Sequence, residues 1–215
     1  MASTDPTTDR LRRNIGTWAV PAVQLPAVGH FMHDVLKNEP WDPHFLGQDL
    51  RTYYFDTRDF VLRKARHKGE QYLTLRLRCY RPLEGGPEFY ALSGKTEAEK
   101  WRQEINDDVA DALLANPAGL VSFLPPNLLA RYQGLVGDQP LLAVVCVCCR
   151  RYAVEDNTDR YTLDVHIHTD TNKRLPFSVL EYKSADQAES PPGNLLGIGL
   201  RPIKLSKFLW ATDWR

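Results

Sequence analysis

Along much of this chain apolar and polar residues alternate one by one, the period of a β-strand with one buried face. In YLTLRLRCY (72–80), Thr74, Arg76, Arg78 and Tyr80 share one face, and Leu73, Leu75, Leu77 and Cys79 share the other. RYTLDVHIH (160–168) repeats the pattern, with Arg160, Thr162, Asp164, His166 and His168 opposite Tyr161, Leu163, Val165 and Ile167. Glu181 and Lys183 share a face in VLEYK, and Lys100, Arg102 and Glu104 share one in EKWRQEI, opposite Trp101 and Ile105. Further strand-like runs are IGTWAV (15–20), RTYYFDT (51–57), LLAVVCVCCRRYAV (141–154) and FSVLEYKS (177–184). EFYALSGKTEAEKWRQEI (88–105) reads as two strands around a tight turn near Glu97 and Ala98.

Helical spacing is rarer. Leu25, Val28, Phe31, Met32 and Val35 predict a helix over roughly Pro21 to Lys37. RDFVLRKA reads as a short helix or turn, Asp107 to Leu114 as a helix that stops before Pro117, and Asn127 to Tyr132 as another. WDPHFLGQD and DQAESPPGN (186–194) read as turn-rich loops. Many strands, a few helices and no strand–helix rhythm predict an α+β, mostly β fold with antiparallel pairing. Strands with polar inward faces could close into a barrel with a wet interior.

Composition narrows the setting. The 215 residues suit one domain, and 27 basic against 27 acidic residues give no net charge, so the totals announce neither nucleic acid nor a membrane surface. No run approaches the ~18 apolar residues of a membrane span. The stretch MASTDPTTDRLRRN (1–14) reads as a disordered lead without signal-peptide layout. Cys146, Cys148 and Cys149 lie in an apolar run and Cys79 on a leucine face, so they read as core thiols rather than metal ligands. A reduced cytoplasm is the simplest setting for them.

The faces themselves admit two readings. An ordinary sheet with one solvated side would show the same parity. The sign of the charge favours the other: Arg76, Arg78, Lys95, Lys100, Arg102, Arg160 and Lys183 meet few carboxylates, and gathered cations call for a polyanion such as phosphate. Glu181, a carboxylate among cations, suits Mg²⁺ or Mn²⁺ shared with phosphate oxygens. His166 and His168 lack convergent His or Cys partners and read as polar-face residues, Asp56 as a turn former, and Trp18, Trp41, Trp101, Trp210 and Trp214 as packing residues. No G-x-S-x-G elbow or Walker-type loop occurs. An RNA-binding sheet would want exposed aromatics beside its arginines, and only Tyr72 and Tyr80 offer that.

Taken in order, RTYYFDT, LTLRLRCY, the Lys95…Lys100 hairpin, RRYAV, RYTLD, VLEYK and KLSKF resemble the motifs of the triphosphate tunnel metalloenzymes (the CYTH-like superfamily). The branch resembled is the VTC-type polyphosphate polymerase domain, over residues 15–215. The resemblance implies an eight-stranded antiparallel β-barrel, a tunnel lined by basic residues, with peripheral helices. It implies phosphate binding by Arg76, Arg78, Lys95, Lys100, Arg151, Arg160, Lys183, Lys204 and Lys207, with Arg150 as an alternative to Arg151 that parity leaves open. It implies a catalytic set of Arg76, Arg78, Lys95, Lys100 and Glu181, with Glu181 holding Mn²⁺ or Mg²⁺. Triphosphate, a nucleoside triphosphate or polyphosphate would be the partner. The implied activity is polyphosphate synthesis, a triphosphatase and a non-catalytic binding module being the alternatives. One departure stands out: the family's first strand carries alternating glutamates and a lysine, and here NIGTWAVP carries none.

Overall fold

Nine strands, ordered β5-β4-β3-β2-β6-β7-β8-β1-β9, dominate the computed structural model, which describes residues 13–36, 47–68, 71–83, 85–155, 159–184 and 193–213. The fold is α+β, mostly β, and every ladder described is antiparallel. The sheet order ends on β5 (Lys100–Ile105) and β9 (Arg201–Pro202), so it does not close into the eight-stranded barrel expected from the sequence. Both terminal strands are poor templates for a further ladder. β5 carries exposed Lys100, Arg102 and Glu104, and β9 is two residues long and includes a proline without an N–H.

Two compact units make up the chain. The first comprises Met1–Gly47, Arg150–Ile167 and Leu175–Lys204; the second comprises Gln48–Cys149, His168–Arg174 and Leu205–Arg215. β6 (Leu141–Glu155) contributes residues to both.

In the first unit, β8 (Ser178–Ser184) is flanked by β7 (Asp159–Thr169) and β1 (Arg13–Val20), and β9, which follows the short α5 (Gly193–Leu196), adds beyond β1. The strand therefore starts at Arg13, inside the stretch expected as a disordered lead; residues 1–12 lie outside the described residues. The apolar faces meet α1 (Leu25–Leu36): Trp18, Val20, Leu163, Leu180 and Tyr182 bury against Val28, Phe31 and Met32. Tyr161 stacks on Tyr182 at 4.8 Å between ring centres and meets Phe31 edge-on at 5.2 Å. The helix starts later than the sequence predicts, because Pro21 is extended (ψ 153°) and a 3₁₀ turn, Ala22–Gln24, precedes it. At the far end of β7, His166 has a positive φ of 53°, yet it stays exposed between buried Val165 and Ile167, so the alternation continues past Asp164.

In the second unit, β2 (Gln48–Thr57), β3 (Thr74–Pro82), β4 (Phe89–Lys95) and β5 form a meander continued by the first part of β6. Phe55, Leu75, Leu77 and Leu92 bury against α3 (Asp107–Ala115), a 3₁₀ turn at Pro117–Phe123, and α4 (Pro126–Val136). Asn106 caps α3 through the Val109 N–H, with Asp107 and Asp108 in the first turn, while Pro126 opens α4. Asp56, read as a turn former, accepts the N–H groups of Leu62 and Arg63 and so caps α2 (Val61–Lys68). Trp18 and Trp101 pack as expected; Trp41, Trp214 and most of the loop at 186–194 lie outside the described residues.

Candidate anion-binding faces and metal position

The polar face of the first unit is built by register. Arg160 stands directly opposite Lys183, and Thr162 opposite Glu181, whose other neighbour is Thr17 of β1. Asp164, two residues further along β7, takes both its oxygens to Arg151: Nε donates to Oδ1 at 2.6 Å and Nη2 to Oδ2 at 2.7 Å. That fork places Arg151 beside Asp164. The pair is dry, with side chains 11% and 1% exposed, so Arg151 is held rigidly by two charge-assisted bonds.

Lys183 Nζ lies 3.3 Å from Glu181 Oε2. Burial pulls the Lys183 ammonium below its ordinary pKa; Glu181 opposes that, and Arg151 and Arg160 reinforce it. Thr162 Oγ1 is buried and finds no hydrogen-bond partner among the described residues. With three cations (Arg151, Arg160, Lys183) and two carboxylates (Asp164, Glu181), the face carries one positive charge in excess.

The second unit has its own cationic face. The register sets Tyr54, Arg76, Ser93 and Arg102 in one row across β2–β5, and Thr52, Arg78, Ala91 and Glu104 in the next. Arg76 Nε donates to Ser93 Oγ at 2.8 Å. Arg78 Nε is buried with no hydrogen-bond partner among the described residues. Lys95 and Lys100 are cross-strand partners at the tip of the hairpin, both exposed. Arg66, which the sequence reading passed over, donates to Thr74 Oγ1 and Ser206 Oγ and lies over the Tyr72 ring. Its position in an amphipathic eight-residue helix was the only signal available. Ser206 also caps α6 (Lys207–Ala211), whose Phe208 stacks on Tyr54.

Thus, within the first unit, Arg151, Arg160, Glu181 and Lys183 gather, and within the second, Arg76 and Arg78 do. Lys204 is exposed in the first unit, whereas Lys207 opens α6 in the second. His168 belongs to the second unit and interacts with Cys148.

For a divalent ion the donors are sparse: among the described residues no group of three His, Cys, Asp or Glu side chains could hold one. Asp164 is occupied by Arg151, and Thr17 stands where a first-strand carboxylate would neighbour Glu181. Glu181 with the Thr162 hydroxyl opposite it fits the lean kind of Mg²⁺ or Mn²⁺ site, one carboxylate completed by phosphate oxygens and water.

No family model matches the chain, and no curated protein matches it. Among solved structures, a Bacillus halodurans protein described as a candidate adenylate cyclase superposes with a TM-score of 0.65 at 13% identity, covering 94% of this chain and 98% of that one. A Hippeastrum protein described as a candidate adenylyl cyclase with a dominant triphosphatase activity gives 0.48 at 15% identity, covering 80% and 79%. The PH1819 protein of Pyrococcus horikoshii OT3 gives 0.47 at 14%, covering 90% and 95%. The first likeness shows a shared fold. It does not reach the polyphosphate polymerase branch.

Proposed function

We propose that this chain is a phosphoryl-transfer enzyme that binds a nucleoside triphosphate by its phosphates and extends polyphosphate. The observation that carries the reading is Arg78, whose Nε is buried and unbonded beside Arg76. A guanidinium left in that state costs stability in the ligand-free protein, and a phosphate oxygen is the partner that relieves it. The Bacillus halodurans protein of the same fold, described as a candidate adenylate cyclase, supports a nucleoside triphosphate as the donor.

In the first unit, Asp164 fixes the Arg151 fork, so that the guanidinium meets a phosphate without first being ordered. Lys183 and Arg160, opposite each other, neutralise charge that spreads over the oxygens of the transferred group. Glu181 and Thr162 would hold the divalent ion. When bound, such an ion withdraws charge from phosphate oxygens and orients them.

The first strand favours a second reading, a module that retains polyphosphate without turnover, because Thr17 supplies no carboxylate next to Glu181. Incubation with ATP and Mn²⁺ or Mg²⁺, resolving all phosphorus products, separates these. ADP with polyphosphate supports synthesis. ADP with orthophosphate makes the protein a triphosphatase, and cyclic AMP with pyrophosphate makes it a cyclase. Tight polyphosphate binding without any product decides for the binding module.

A further inference from the structure

On the second unit's part of β6, two cysteines sit two residues apart and therefore on one side of the strand. Cys146 Sγ and Cys148 Sγ are 3.8 Å apart, and no cysteine of the chain is in a disulfide. Cys146 is buried and Cys148 half-buried. Arg51 and His168 place positive charge near Cys148, with Asp170 opposing them. The Asp170 N–H donates to the Cys146 carbonyl, which ties the turn after β7 to this point of the strand. None of these groups takes part in the phosphate faces.

We propose that Cys146 and Cys148 form a two-thiol site oxidised by hydroperoxides, with Cys148 as the attacking sulfur and Cys146 as the resolving one. The surroundings argue against a metal. The Arg51 guanidinium repels a cation, and among the described residues no group of three ligands converges. Arg51 and His168 favour a thiolate at Cys148, as does the S–H of Cys146, so Cys148 titrates well below an ordinary thiol while Cys146 titrates above it. Cys79 is the contrast: burial and the Glu88 carboxylate, 3.1 Å from its sulfur, hold that thiol up to about 11.

The chemistry balances with the hydroperoxide as oxidant. The Cys148 sulfur attacks one peroxide oxygen, the O–O bond breaks, and the departing alkoxide or hydroxide takes up a proton. Cys148 becomes a sulfenic acid, oxidised by two electrons as the peroxide is reduced. The Cys146 sulfur then attacks the Cys148 sulfur, and the hydroxyl leaves with the Cys146 proton as water. Residues two apart in a strand have Cα atoms roughly 6.6 Å apart, inside the span that a disulfide bridges after side-chain rotation.

The test uses the intact chain. Wild-type protein is treated with one equivalent of hydrogen peroxide, alkylated under denaturing conditions and mapped by peptide mass spectrometry. The expected result is loss of two hydrogens and both alkylation sites in the peptide that carries Cys146 and Cys148, reversed by dithiothreitol. In Cys146→Ser, dimedone should label Cys148 at least about tenfold faster than Cys79 or Cys149. In Cys148→Ser no dimedone adduct should form at Cys146. Oxidation that pairs Cys148 with Cys149 or with a second molecule would overturn the assignment, as would Cys79 reacting as fast as Cys148. The wild-type mapping decides even if a variant folds poorly.

Discussion

Asp56 is a buried carboxylate and Arg78 a half-buried cation with a buried Nε, and they meet opposite fates. Asp56 is fully surrounded and accepts three backbone N–H groups, from Thr57, Leu62 and Arg63. Asp56→Ala should remove the cap of α2 and lower unfolding stability by about 2–3 kcal/mol, read by urea denaturation. Arg78 has no such network at its Nε. Arg78→Met should leave ligand-free stability unchanged or raise it, and weaken polyphosphate binding by about 1.5–3 kcal/mol in calorimetry. Equal losses in both measurements would make Arg78 a structural residue. At this scale the sequence was legible wherever neighbours on one strand sufficed. Period-two alternation alone placed Arg76 with Arg78 and Glu181 with Lys183. It could not supply partners on other strands, so the Arg151–Asp164 fork and the Arg66 bridge to Thr74 and Ser206 emerged only with the register.

Among the elements, β1 shows how tightly one strand is committed. A Cβ built on Gly16 would stand 2.2 Å from the Trp18 indole, which lies over the glycine. Gly16→Ala should displace that ring from the first unit's core and cost about 1–3 kcal/mol, visible as a shift in tryptophan emission. An unchanged spectrum and melting temperature would refute that placement. Strand identities were readable from alternation, and the turn near Glu97 fell where expected, with Lys95 paired to Lys100. Boundaries were less so. The start of α1 was overridden by an extended Pro21, and the positive φ of His166 was not legible from alternation. Closure of the sheet lies outside what alternation can say. A pattern of inward and outward residues fixes which side of a strand is wet, but does not say whether the last strand finds the first.

For the molecule as a whole, Glu181 and Lys183 provide the separating measurements. Glu181→Gln should abolish divalent-dependent turnover while leaving polyphosphate affinity equal or tighter, since one repelling charge has gone. Retained turnover would remove Glu181 from the metal position. Lys183 sets the pH dependence. Burial lowers its folded pKa below 10.5, so without ligand its contribution to stability grows as pH rises through that lowered value towards 10.5. A bound polyanion favours the protonated form, so affinity should fall across the same window. Lys183→Met should flatten that fall, as followed by calorimetry at stepped alkaline pH. The pairing of β1 with β8 bears on how such a molecule is made. Residues 13–20 find their ladder only at 178–184 and, beyond it, at Arg201 and Pro202. A chain emerging from the ribosome has by then already released β2 to β5 with α3 and α4, whose ladders join near neighbours in sequence. The second unit's meander can therefore set during translation, while β1 stays exposed, in need of shelter from other nascent chains, until residues 178–202 have been synthesised.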